Sequence, residues 1–185
     1  MLHEVIEKVK TDQNGLFAFL ELIADGYPDR SAVAFLCIGT DRSTGDSYGP
    51  LVGMMLKERG WPNVVGTLEQ PCDALSYETA VHSLANAGVI IAVDACLGKP
   101  GSTGKYICTP GALKPGEATK AGLPSAGHYS IAGIVGENGP KPYWVLQTAS
   151  LYQVLQMAKL TADAIERAWG AQPFAAQRET KFQWL

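Results

Sequence analysis

Apolar residues recur along the chain in two distinct rhythms. From about His3 to Ala24, the positions Val5, Ile6, Val9, Leu16, Phe19, Leu20 and Ile23 fit an N-terminal helix, with a break expected at Asn14-Gly15. "AVAFLCI" (32–38) is instead a continuous apolar run, the mark of a strand covered on both faces. "SYGPLVGMMLKER" (47–59) returns to helical spacing. Pro50 suits its first turn, where no N–H is needed, and Gly60 suits its stop.

The alternation continues to the end. "NVVGTL" (63–68) predicts a strand and "LSYETAVHSLANAG" (75–88) a helix with Ser76 as its N-cap. "VIIAVDA" (89–95), "GKYICTP" (104–110) and "YSIAGIVG" (129–136) predict three more strands, about five in all. "TASLYQVLQMAKLTADAIERAW" (148–169) predicts a long amphipathic helix capped by Thr148 or Ser150. A tail at about 171–185 holds Phe174, Phe182 and Trp184 among polar residues and is expected to pack loosely. The Gly/Pro-rich stretch 111–128, with Lys114, Glu117 and Lys120, is long for an internal loop and is expected to be mobile beside a site.

Buried-type strands alternating with helices predict one α/β domain over 1–185, a three-layer α/β/α sandwich on a mostly parallel mixed sheet. In such sheets ligands gather beyond the carboxyl ends of the strands. Composition narrows the function only by exclusion. A net charge of −3 offers no basic face for nucleic acid, and no apolar run is long enough for a membrane span. The start lacks a secretory signal, so a cytoplasmic protein is expected. Cys37, Cys72, Cys96 and Cys108 show no C-x-x-C spacing and read as inert thiols, with no metal or cofactor indicated.

Candidate chemistry concentrates in "CIGTDRSTGDSYGP" (37–50) and "IIAVDACLG" (90–98). Asp46 follows one apolar strand and Asp94 ends another, a geometry that can bring both to one crevice. Two carboxylates sharing a site titrate apart, leaving one base and one acid, as hydrolysis by an activated water requires. Gly45 and Gly49 leave room for a substrate backbone. Arg42, or the N–H groups opening the helix at Ser47, could stabilise an oxyanion, with Ser43 and Thr44 beside them. A plain helix cap competes as a role for Asp46. Among the histidines only His128, at the end of the glycine-rich loop, is placed to join a site.

"FLCIGTDRSTGDSYGPLVG", "GTLEQPCDAL", "IIAVDACLG", "GALKPGEATKAGLPSAGHYSIAGIVG" and "LQTASLYQVLQMAK", in that order from about Gly26 to Arg167, resemble the YyaC-like sporulation proteins, the DUF1256 family. That family is similar in turn to the spore germination protease, an atypical aspartic peptidase, and more distantly to the hydrogenase maturation proteases, with their phosphorylase/hydrolase-like fold. The resemblance implies catalytic roles for Asp46 in "GDSYGP" and Asp94 in "AVDACLG". It implies a protein or peptide substrate, spore proteins among them, bound near Arg42, Ser43, Thr44, Ser47 and His128. It places the protein in the mother cell or forespore of a spore-forming bacterium, with a homo-oligomer conceivable. The propeptide and extra length of the germination protease have no counterpart here, and the histidine of the hydrogenase proteases falls nearer Ser130 than His128. Two rival readings follow: a non-catalytic peptide- or partner-binding module, and a metal-dependent maturation-type protease using Asp46, Asp94 and His128.

Overall fold

The computed structural model describes residues 7–115 and 123–170. Its elements are β1 (Val9–Thr11), α1 (Gln13–Gly26), β2 (Val33–Cys37), α2 (Tyr48–Glu58), β3 (Asn63–Val65) and α3 (Tyr77–Ser83). They continue as β4 (Val89–Gly98), β5 (Tyr106–Pro110), β6 (Tyr129–Glu137), α4 (Pro142–Gln147) and α5 (Leu151–Ala168). The sheet has six strands, not five, in the order β1-β5-β6-β4-β2-β3. β6, β4, β2 and β3 run parallel, while β5 is antiparallel to β6 and β1 to β5. The fold is α/β.

The additional strand corrects the expectation of a helix over 3–24. Within the described residues, Val9–Thr11 pairs with Tyr106–Cys108, and the helix begins only at Gln13. Asp12 causes the switch: its carboxylate accepts from the backbone N–H of Asn14 and Gly15 and satisfies donors that no helical turn can reach. Asn14-Gly15 therefore lies in the first turn and interrupts nothing. Asp12→Ala is expected to lower stability by about 1 kcal/mol, the usual worth of such a cap, in urea unfolding.

Side chains alternate across the central strands, as the pleat demands. Val33, Phe35 and Cys37 of β2, with Val89, Ile91 and Val93 of β4, join a core with α1, α2 and α5. Ala34, Leu36 and Ala92 face the other way, toward Tyr77, Ala80 and Leu84 of the α3 segment and Ala126 of the long loop. Helices thus cover both faces, unequally. Ser76 precedes α3 but its side chain does not cap it; the hydroxyl donates to the carbonyl of Pro71 instead. Ser150 does cap α5, accepting from Gln153 N–H.

Two contacts fix where α2 begins. Tyr48, fully buried, lies across Gly133 of β6, where a Cβ would come within 2.7 Å of its ring. Its hydroxyl is 2.8 Å from Thr161 Oγ1, and Thr161 already donates to the Met157 carbonyl, so Tyr48 is the donor. The start of α2 is thereby tied to α5 through the core. The tail at 171–185 lies outside the described residues, as does 116–122 within the long loop.

Candidate functional site

The chain leaves β2 outward through α2 to the edge strand β3, then returns past β2 to β4 on its other side. Adjacent strands whose connections diverge in this way open a crevice at their carboxyl ends. Pairing of β2 with β4 ends at Cys37–Val93, followed by a last bond from Ile38 N–H to the Val93 carbonyl. β4 runs on beside β6, Asp94 opposite Ala132, so at Asp94 the β2 side of the strand is released. Asp94 therefore lies within β4 rather than at its end. Two residues beyond Ala92, it points to the same face, toward α3.

Asp46 arrives on the loop from residue 38 to 47, which is held by its own backbone. Gly39 N–H donates to the Cys72 carbonyl, Thr40 N–H to the Asp46 carbonyl and Gly45 N–H to the Leu146 carbonyl of α4. Gly39 has φ +144°, and a Cβ there would meet the Asp46 carbonyl oxygen at 1.9 Å. A Cβ on Gly45 would meet Leu146 O at 2.8 Å, and one on Gly49 would meet Ile38 O at 2.1 Å. The glycines expected to admit a substrate backbone thus admit the protein's own. They are there to let the loop fold tightly.

The electrostatics set the two acids apart. Burial pushes Asp94 up to about 8; the Ala95 N–H, 2.8 Å from Oδ1, opposes this, and the charge of Asp46 adds to it. The carboxyl is ringed by protein although part of the residue still reaches solvent. Asp46 is also raised by burial, with Ser43 acting in the other direction. Ser43 Oγ is buried and, despite facing Asp46, lacks the geometry of a hydrogen bond to any group. With Asp46 ionising first, its charge holds the proton on Asp94.

The other expected site residues divide. Ser47 does not cap α2; its hydroxyl donates to the Thr44 carbonyl at 2.7 Å, fixing the turn between them. Arg42 is exposed, and its charge reaches Asp73, where burial is outweighed by hydrogen bonds from Ser76 and Leu75 and the carboxyl is held low. His128 is exposed and lies beside Ile90, accepting from the Ile90 N–H through Nδ1. Four residues of strand separate that position from Asp94, roughly 13 Å along β4. The trio of Asp46, Asp94 and His128 is not assembled, and among the described residues no group of three His, Cys, Asp or Glu is placed to share an ion.

Two neighbours of Asp94 escaped sequence reasoning. Cys72 is brought in by a parallel bridge to Ile38, and Tyr77 by α3, its hydroxyl donating to the Pro124 carbonyl. Burial first, then Asp73 and Asp94, pushes the Cys72 thiol up to about 12; Tyr77 is likewise pushed up to about 12, by burial, Cys72 and Asp94. A cysteine so protonated is no nucleophile. Native protein at pH 8 is expected to leave Cys72 and Cys108, whose thiol burial also pushes up to about 12, unlabelled by iodoacetamide, as peptide mass mapping would show. Nothing in "LEQPCDALSYE" marks either residue as a site neighbour.

Residues 7–164 match the model of a family described as "Protein of unknown function (DUF1256)". The chain belongs to the DUF1256 family. It is 43% identical over 138 residues to the "Uncharacterized protein YyaC" of Bacillus subtilis (strain 168), covering 72% of this chain and 67% of that one. The match to the family model spans both the loop carrying Asp46 and the whole of β4. No solved structure matches the chain. No helix among the described residues is long and apolar enough to cross a membrane.

Proposed function

We propose that this chain is a sporulation-associated peptidase in which Asp46 and Asp94 activate water between them. The observation that carries the reading is the inequality of the pair: Asp94 is raised to about 8, partly by the charge of Asp46 itself. At neutral pH that arrangement offers one ionised and one protonated carboxyl. Asp46 takes a proton from water as its oxygen attacks the peptide carbonyl carbon. Asp94 gives its proton to the amide nitrogen as the C–N bond breaks. A proton passed back from Asp46 to Asp94 restores the starting state. The role in sporulation, and spore proteins as substrates, rest on the resemblance to the germination protease.

The test is direct. Purified protein incubated with spore-coat and spore-core protein extracts is expected to generate new peptide termini, detectable by terminal labelling and mass spectrometry, and the Asp94→Asn variant to generate none. Identical termini from both proteins, or none from either, would sink the peptidase reading.

A further inference from the structure

β3 is an edge strand, paired only with β2 among the described residues. Beyond Val65 the chain leaves the sheet and comes back at Cys72, which bridges to Ile38. A groove of about 280 Å³ follows this outer edge. Val64 and Val65 of β3 line it, with Lys57 of α2 on one side, Thr79 and Ser83 of α3 on the other, and Cys72 as a further wall. Cys72 is the same residue whose thiol feels the charge of Asp94, and whose carbonyl holds Gly39 at the root of the Asp46 loop. The groove and the carboxylate pair therefore share a wall.

We propose that this groove is the substrate-binding channel, receiving an extended polypeptide segment as a further strand on β3. The inference rests on the peptidase reading and supplies its substrate class. An exposed strand edge presents main-chain donors and acceptors at strand spacing, which an extended peptide satisfies whatever its sequence. Alternate side chains of that peptide would point toward Lys57 and toward α3. Among the described residues that line the groove, Lys57 is the only charged one. An acidic side chain is thus preferred at the position facing α2, with small or polar ones facing Thr79 and Ser83. A folded protein cannot enter this way; an unfolded or extended segment can.

The experiment measures binding apart from cleavage. A phage-displayed library of random dodecapeptides is selected on the Asp94→Asn protein, and synthetic versions of the selected peptides are titrated against native and variant chains. Enriched peptides are expected to carry Asp or Glu at a fixed position and to slow amide exchange at residues 63–65. Lys57 and Thr79 are both exposed on helices, so substitutions there keep the fold. Lys57→Glu is expected to weaken acidic peptides by about fivefold, and replacing the peptide's acid by Lys to restore them. Thr79→Trp, which fills the groove, is expected to weaken all of them by roughly tenfold with an unchanged melting temperature. An unenriched library, or binding indifferent to both substitutions, would overturn the channel. Groove binding without any cleavage of spore proteins would keep the channel and remove the peptidase.

Discussion

The Asp94→Asn protein is expected to be more stable than the native chain at pH 9, by roughly 2 kcal/mol, and no more stable than it at pH 4. Each tenfold change in a carboxyl's proton affinity is worth about 1.4 kcal/mol, and the water that reaches Asp94 takes back part of the total. The sign follows from proton binding. Asp94 is raised from 3.8 to about 8 by folding, so between those values the native state holds a proton that the unfolded chain has lost. Stability contributed by this group is complete in acid and declines as pH rises through that window. Asn carries no such charge, so the two urea-derived stability curves should diverge from about pH 4 to about pH 8 and then run parallel. Coincident curves would mean that Asp94 is not held protonated.

The same substitution should abolish peptide release, as should Asp46→Asn, and the double variant should be little worse than either. On the peptidase reading, the native rate should fall on the alkaline side near pH 8, where Asp94 loses the proton it would donate. If the acids were merely structural, each Asn variant would lose stability instead, and the losses at separate sites would add.

Gly49, in the first turn of α2 against the root of the Asp46 loop, makes the second large prediction. Gly49→Ala places a Cβ 2.1 Å from the Ile38 carbonyl oxygen, backbone against backbone, where no side chain can swing aside. A loss of about 3 kcal/mol or more is expected in chemical unfolding. Gly101 offers the contrast. It has φ +73° but nothing within 4 Å of a Cβ, so Gly101→Ala should cost only about 1 kcal/mol of local strain. Equal losses at the two positions would show that packing under the loop does not govern its stability.

Much of this architecture can be read from the residues. The runs at 32–38 and 89–95 are apolar on both parities because helices cover both faces, and such runs read clearly as central strands. Asp46 and Asp94 stand out as candidates for the same reason, since each is an acid beside such a run. β1 was not legible. Three residues carry too little pattern to outweigh a helical rhythm, and their pairing with β5 depends on residues far along the chain. α4, short and opening with Pro142, left a similarly weak trace. The position of His128 was not legible, because it depends on the parallel strand order that puts the amino end of β6 beside Ile90, away from Asp94. The uses of Gly45 and Gly49 could not be foreseen, because their contacts lie on α4 and at the end of β2.

The bond from Gly45 to Leu146 has a bearing on biosynthesis. The loop carrying Asp46 is translated well before the carbonyl that steadies it and the Thr161 that anchors Tyr48. A nascent chain can already pair β2 with β4 and still lack both holds. Truncated products ending before α4 would carry both aspartates with the Asp46 loop unclamped. On the peptidase reading, an aspartate site assembled in this order is expected to be incomplete in unfinished copies until α4 and α5 have docked.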